Sequence, residues 1–421
     1  MRASAVNDGS FSQGPAVEYD PADASTKANP YPLFAKLREE RPIYWSDIVK
    51  GWVLTRYVDV KGVLGRPKQF SSVRIQPFLA HLRARGMEEM AELGEGVTKW
   101  AVFTDQPYHT KLRPVLNQAF LPVIAGVEPT VREIVGNLLA KLERRSSFDL
   151  IADFAVPLPT MVILRMFGQP VEDAPKIKQW TDALASFIAG ARLDPLKTER
   201  STNALRQMRS YFTDVVEQRK RQRGEDVISR MITFGEKAPE PFTDDEYVQT
   251  ATLLMFAGHE TTTDLIGNGI YNLLRNPDQL AELRAHPEAI DRAIEELLRF
   301  DNPAATMVRV TMEDTDVGGQ LIRKGERVFC SLLSANHDSA MFPDGDKLDL
   351  SRKPRGSLSF GMGLHLCLGA PLARLEGKIA IPAILAQFPH LEIATDDLVW
   401  RDAYVIRGIT SLPLKVGRAT N

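Results

Sequence analysis

Two short segments carry residue types able to do chemistry. The first is Phe360-Gly361-Met362-Gly363-Leu364-His365-Leu366-Cys367-Leu368-Gly369. Its three glycines permit a tight backbone path that other residues resist. A helix is expected to start just after Cys367, with Pro371 in its first turn and a kink at Pro382. The free N–H groups of a helix start can then point at the sulfur and favour the thiolate, the form that binds metal. A lone cysteine is by default a small buried hydrophobe. The glycines, the histidine two residues earlier and the helix start make this one read as a ligand held in place.

The second segment is Ala257-Gly258-His259-Glu260-Thr261-Thr262. It lies in the middle of a helix that opens on a capping box, Thr243-Asp244-Asp245-Glu246, and stops at Asn276-Pro277. That is roughly 30 residues and about 45 Å. A mid-helix glycine costs about 1 kcal/mol against alanine. Two readings stand. In one, Ala257-Gly258 is a close helix crossing and the threonine hydroxyls bond back to the preceding turn. In the other, the helix opens locally, a ligand approaches its backbone, and the acid–alcohol pair beside it relays protons.

Most of the elements that must position these segments read as helix, including 129–144, 200–222 and 288–300. Strand signals are short. Residues 43–45 and 51–55 form one hairpin, and 316–322 pairs with 327–333 across the turn 323–326. Residues 412–416 close a third sheet. The fold class is mainly α with small peripheral β-sheets. Residues 1–30 read as a flexible arm and 31–421 as a single domain, since no linker or repeat divides them. Residues 70–103 mix Pro and Gly into a short helical pattern, as an irregular lid or binding loop would.

Composition narrows the function classes. Of 421 residues, 52 are Lys or Arg and 54 Asp or Glu, a net charge of −2. That balance gives no support to whole-chain attraction to nucleic acid or a membrane surface. Two cysteines, Cys330 and Cys367, exclude a disulfide framework and a multi-cysteine zinc or iron–sulfur site. The first residues show no signal-peptide stretch, and apolar runs such as 251–258 fall short of the ~20 residues that cross a bilayer. A cytoplasmic location without a membrane anchor is expected.

The ten-residue cysteine loop resembles that of the cytochrome P450 family, the haem-thiolate monooxygenases. Residues 257–262 resemble its oxygen-activation motif, and Glu296-Leu297-Leu298-Arg299 its E-x-x-R helix, in matching order. The resemblance runs from about residue 30 to the end. It implies the cytochrome P450 fold, haem b, Cys367 as the iron ligand, and His109, Arg113, Arg309 and His365 as donors to the haem propionates. It implies Glu260 and Thr261 as the proton source for dioxygen activation. It also implies a structural triad of Glu296, Arg299 and Arg352. From the residues alone, Glu296 and Arg299 lie opposite the apolar face of 288–300, as a surface pair would, and Pro114 should kink or end the helix carrying His109 and Arg113.

The implied pocket walls are 74–103, Leu253, Phe256, Ala304-Ala305 and Val405-Ile406, so Leu253, Phe256, Ala305 and Ile406 are candidate substrate contacts. Arg74, Arg83 or Arg407 could anchor a carboxylate, although ordinary surface arginines explain them as well. The implied reaction inserts one oxygen atom from O2 into an apolar small molecule. Without flavin, nicotinamide or iron–sulfur signatures, the electrons come from a separate ferredoxin and ferredoxin reductase. Lys111, Arg113, Lys353, Arg355, Arg374 and Lys378 would form its basic docking patch. The alternatives are a peroxide-using or non-oxygenating family member, a haem-based sensor or carrier without turnover, and a helical scaffold without cofactor.

Overall fold

Helical periodicity with good helix formers yields long helices at Glu128–Leu142 and Pro195–Arg221 in the computed structural model, which describes residues 18–20, 22–188, 195–353 and 355–417. The organising element is the helix Asp244–Arg275, called the central helix below. Its capping box forms as read, with Thr243 Oγ1 accepting from Glu246 N–H at 3.2 Å and Glu246 Oε2 accepting from Thr243 N–H at 2.7 Å. Its residues are buried on nearly every side, and one apolar cluster running from Leu93 to Leu414 surrounds it.

The strands stay peripheral. A five-stranded sheet has the order β1-β2-β8-β5-β3, with β1 Ile43–Ser46, β2 Gly51–Leu54, β3 Phe70–Ser71, β5 Thr306–Thr311 and β8 Arg327–Ser331. The expected first hairpin is β1-β2, antiparallel with Trp45 opposite Trp52. The expected pairing of 316–322 with 327–333 is corrected. Gly318 and Gly319 both take positive φ, +57° and +86°, and turn the segment back on itself, so β6 (Thr315–Val317) pairs with β7 (Gln320–Ile322). β8 instead runs parallel to β2 and antiparallel to β5. The expected closing strand is β10 (Pro413–Val416), held between β4 (Ser147–Asp149) and β9 (Leu391–Ile393).

Residues 70–103 are not irregular: they contain helices Gln76–Ala84 and Glu88–Glu95 and a 3-10 turn at Ala101–Phe103. The helix carrying His109, Tyr108–Gly126, neither stops nor breaks at Pro114. Burial of Leu112, Val115, Leu116 and Phe120 along one face outweighs the missing hydrogen bond. Of the arm expected over 1–30, residues 1–17 lie outside the described residues. Beyond them Tyr19 packs on Phe34 and Tyr404, and residues 24–28 form a short helix. Among the described residues no helix is long and apolar enough to cross a membrane.

Candidate functional site

The cysteine loop closes through backbone bonds, Gly361 N to Leu358 O at 2.8 Å and Cys367 N to Phe360 O at 3.0 Å. Gly361 and Gly363 sit at φ +67° and +66°. A Cβ on Gly361 would also push on the tip of Met307 at 2.5 Å, so the positive φ makes any other residue there strained. The following helix starts at Ala370 rather than directly after Cys367, and runs through Pro382 to Gln387. Burial pushes the Cys367 thiol up. The N–H groups of Gly369 and Ala370 and the charges of Arg113 and Arg374 pull it back without cancelling that effect. The helix start therefore favours the thiolate as expected, but desolvation is the larger influence.

Glu296 and Arg299 are fully buried, which corrects the surface-pair reading of their helix, Ile290–Phe300. Arg299 donates from Nε and Nη2 to the two Glu296 oxygens, each at 2.8 Å. Arg352 Nε reaches Glu296 Oε1 at 3.2 Å, so the expected triad assembles. What covers the polar face is the irregular segment 336–352, whose carbonyls at Asn336 and Gly345 accept from Arg299 Nη1 at 2.7 and 2.8 Å. The same frame reaches the cysteine loop, because Asn336 Oδ1 accepts from Leu358 N–H at 2.9 Å and Ser359 Oγ donates to Leu298 O at 2.9 Å.

Between this loop and the central helix lies a cavity of about 260 Å³. Cys367, Leu372 and Ala373 line one wall, and Leu253, Ala257, Gly258 and Thr261 the other. Both readings of Ala257-Gly258 find a counterpart here. The helix is unbroken, and a Cβ on Gly258 would meet Ile163 Cδ1 at 2.9 Å, so Gly258 is a close crossing. Ala257 and Gly258 also leave room on the cavity side, without a local opening. Of the threonines, only Thr262 bonds back, weakly, to Gly258 O at 3.5 Å, while Thr263 donates to Ala155 O at 3.0 Å.

The polar groups collect at one end of the cavity. His109 and His365 stack edge-on at 4.6 Å, and His365 Nε2 is 2.9 Å from Ser72 Oγ. Burial, then the charges of Arg309, His109 and Arg113, push His365 down to about 3. His109 is lowered by burial and by Arg113. Among the described residues its Nδ1 is buried without a partner. Arg309 donates to its neighbour's carbonyl, Val308 O, and Arg113 to Asn117 Oδ1. Among the described residues neither arginine has a carboxylate within ion-pair distance. Apolar walls with an end crowded by unmatched cationic and N–H donors fit a flat apolar group carrying anions on one edge.

The structure separates other candidates. Thr261 lines the cavity, but Glu260 does not: it is buried against Arg401, Nη1 to Oε2 at 2.9 Å. Leu253 lines the cavity, whereas Phe256 packs on Trp100 at 5.3 Å. Ala304 lines it too, while Ala305 and Ile406 line a separate small cleft beside Tyr19. Arg407 is not a surface arginine. It is buried, binds Asp301 at 2.7 Å and stacks on Trp400 at 3.8 Å. Arg83 is exposed and paired with Glu95, whereas Arg74 is half-buried over the Phe103 ring at 4.9 Å. In the expected basic patch, Lys111 pairs with Glu246, Arg374 with Glu295 and Lys378 with Asp291, while Lys353 and Arg355 stand exposed. Arg401 and Asp264 escaped the sequence reading. A lone Asp among Leu265, Ile266 and Gly267 was the one available signal.

The family model for Cytochrome P450 matches residues 26–403. The "Biotin biosynthesis cytochrome P450" of Bacillus subtilis is 35% identical over 396 residues, covering 92% of this chain and 96% of its own length. The "Vitamin D(3) 25-hydroxylase" of Pseudonocardia autotrophica is 34% identical over 395 residues, with 92% and 94% covered. The crystal structure of P450BioI in complex with acyl carrier protein ligated to hexadec-9Z-enoic acid superposes with a TM-score of 0.85 at 33% identity, over 93% of this chain and 99% of that one.

Proposed function

Since the chain belongs to the cytochrome P450 family of haem-thiolate monooxygenases, we propose that it inserts one oxygen atom of O2 into an apolar small organic substrate, with Cys367 as the iron ligand. The observation that carries this is the cavity with a cysteine on one wall, Thr261 on the other and unmatched donors at one end. When bound, haem b supplies the redox chemistry, its thiolate ligand donating electron density to iron and favouring O–O cleavage.

The residues of the chain bind, orient and supply protons. His109, Arg113, Arg309 and His365 hold the two haem carboxylates, which give their buried donors the anions they lack. The glycine loop and the amides of Gly369 and Ala370 fix the sulfur. Thr261 Oγ1 holds a proton at the cavity wall, and Glu260, once turned away from Arg401 and protonated from solvent water, resupplies it. Leu253 and Ala304, with the aliphatic lining, exclude water and take an apolar substrate. Phe256, Ala305 and Ile406 lie outside the lining of this cavity, so the reading rests on Leu253 and Ala304.

Electrons come from a ferredoxin and its reductase. The ion pairs at Lys111, Arg374 and Lys378 leave Lys353 and Arg355 as the cations best placed to steer that partner. The compartment of this reading is the cytoplasm, where Cys330 and Cys367 stay reduced. The test is an optical titration of the purified ferric protein with apolar compounds, followed by turnover of each binder with a ferredoxin and its reductase. Oxygenated product supports the proposal. Binders that yield none despite reduction of the protein overturn it in favour of a carrier.

A further inference from the structure

Of the three arginines that the sequence offers as carboxylate anchors, two are already taken. Arg83 pairs with Glu95, and Arg407 with Asp301. Arg74 differs. Among the described residues no carboxylate lies within ion-pair distance of it, and its guanidinium donates no hydrogen bond to them. An arginine carries its N–H donors in a planar fork. None of these nitrogens is sealed from solvent, although the residue is half-buried, so a ligand can reach them.

The sheet brings further positive charge to the same place. Arg74 follows Ser71 of β3 by three residues. Ser71 is the register partner of Val310 in β5, and Val310 is that of Arg327 in β8. Arg309 precedes Val310. Burial, then the charges of Arg309 and Arg327, lower the Arg74 guanidinium to about 10, so it stays charged at neutral pH. Asp105, an acid that acts on Arg309, is held by Ser71 Oγ and by Ser72 N–H, the latter at 2.9 Å. Arg74 thus faces two like charges with no acid paired to it among the described residues, an imbalance that an incoming anion relieves.

Arg74 also stands beside the cavity. Its guanidinium lies over the Phe103 ring at 4.9 Å, which steadies the side chain without using its N–H groups. Phe103 ends the turn Ala101–Phe103, whose Ala101 and Val102 line the cavity. Val102 is 47% exposed, so this turn belongs to the cavity rim. Deeper in, the lining includes Leu116, Leu253, Leu254 and Ala304 and is largely apolar. His109, Arg113, Arg309 and His365 already serve the two haem carboxylates in the reading above, which leaves Arg74 for a third carboxylate.

We propose that Arg74 anchors the carboxylate of the substrate at the cavity rim, so that the substrate is an organic acid whose apolar body enters the cavity. The inference rests on the reading of this cavity as the substrate pocket. The guanidinium fork takes a carboxylate through two parallel N–H bonds, whereas an alcohol accepts one and cancels no charge.

The test is an optical titration of the ferric holoenzyme with two acid–alcohol pairs of equal skeleton, decanoic acid with decan-1-ol and 4-butylbenzoic acid with 4-butylbenzyl alcohol. At neutral pH, Arg74→Gln should raise the Kd of each acid that binds about tenfold and leave that of its alcohol within about twofold, while Arg74→Lys recovers part of the loss. Haem transfer to apomyoglobin, followed for the same variants, should be unaltered. Acids indifferent to Arg74→Gln, equal weakening of acid and alcohol, or a wild type that takes neither acid overturns the proposal. So does faster haem loss in Arg74→Gln, which would assign the guanidinium to a haem carboxylate. Turnover with a ferredoxin and its reductase separates the two claims. An acid that needs Arg74 to bind yet yields no oxygenated product refutes the monooxygenase reading alone, whereas oxygenated alcohols beside acids indifferent to Arg74 refute only the anchor.

Discussion

Replacing Glu296 by Gln keeps the shape of the side chain and removes its charge. Arg299, with no exposed surface, would then keep carbonyl partners at Asn336 and Gly345 but lose the one carboxylate it pairs with among the described residues, and Arg352 would lose the same partner. Breaking a buried ion pair by removing one partner costs about 3–5 kcal/mol. At roughly 2.1 cal/mol/K per residue, a chain of this length has an unfolding entropy near 0.9 kcal/mol/K, so the thermal midpoint should fall by about 3–6 °C. The loss is directed. The segment 336–352, tied to Arg299 and Arg352, also anchors Leu358 of the cysteine loop, so haem content should fall with stability. The assay is haem per protein by absorbance, paired with a melting curve, for Glu296→Gln against wild type. A variant with full haem content and an unshifted midpoint refutes the view that this triad supports the cysteine loop.

Two further outcomes are expected. Thr261→Ala should keep consuming reduced nicotinamide while diverting it to hydrogen peroxide, since the hydroxyl at the cavity wall is gone; an unchanged ratio of product to nicotinamide would remove Thr261 from proton delivery. Glu376 is fully buried, both its oxygens lack a partner among the described residues, and burial raises its carboxyl well above the ordinary 4.5. Below that value the acid is protonated in the folded and unfolded chain alike. As pH rises, only the unfolded chain ionises, and wild type loses about 1.4 kcal/mol of stability per pH unit. Glu376→Gln should therefore melt like wild type near pH 4 and progressively above it toward pH 8; parallel melting at all pH values would show that the acid is not held neutral.

How far the structure was legible in the chain depended on how local each signal was. The cysteine loop and the capping box of the central helix are local: glycines at positive φ and a Thr-x-x-Glu box declare themselves within ten residues. The helices within 70–103 are nine residues or fewer, too short for periodicity to separate them from loop. The Gly318-Gly319 turn was hidden inside an apparent strand. Burial of Glu296 and Arg299 could not be read from the helix face, because the cover comes from an irregular segment some 40 residues later. The same limit explains Arg407 and Arg401, whose carboxylate partners lie 106 and 137 residues away. For the site itself, residue types pointed to Cys367 as a ligand, while Thr261 and the cationic end came from the resemblance to the family. Which neighbour on the central helix faces the cavity, Leu253 or Phe256, was decided by Trp100 filling the space beside Phe256.

The central claim is a bond between Cys367 and iron. Reducing the purified haem protein under carbon monoxide tests it in one spectrum. The account requires the strongly red-displaced absorption of a thiolate-ligated porphyrin in wild type, retained in Cys330→Ser and lost in Cys367→Ser. Absence of that band in wild type, or its persistence in Cys367→Ser, would contradict it.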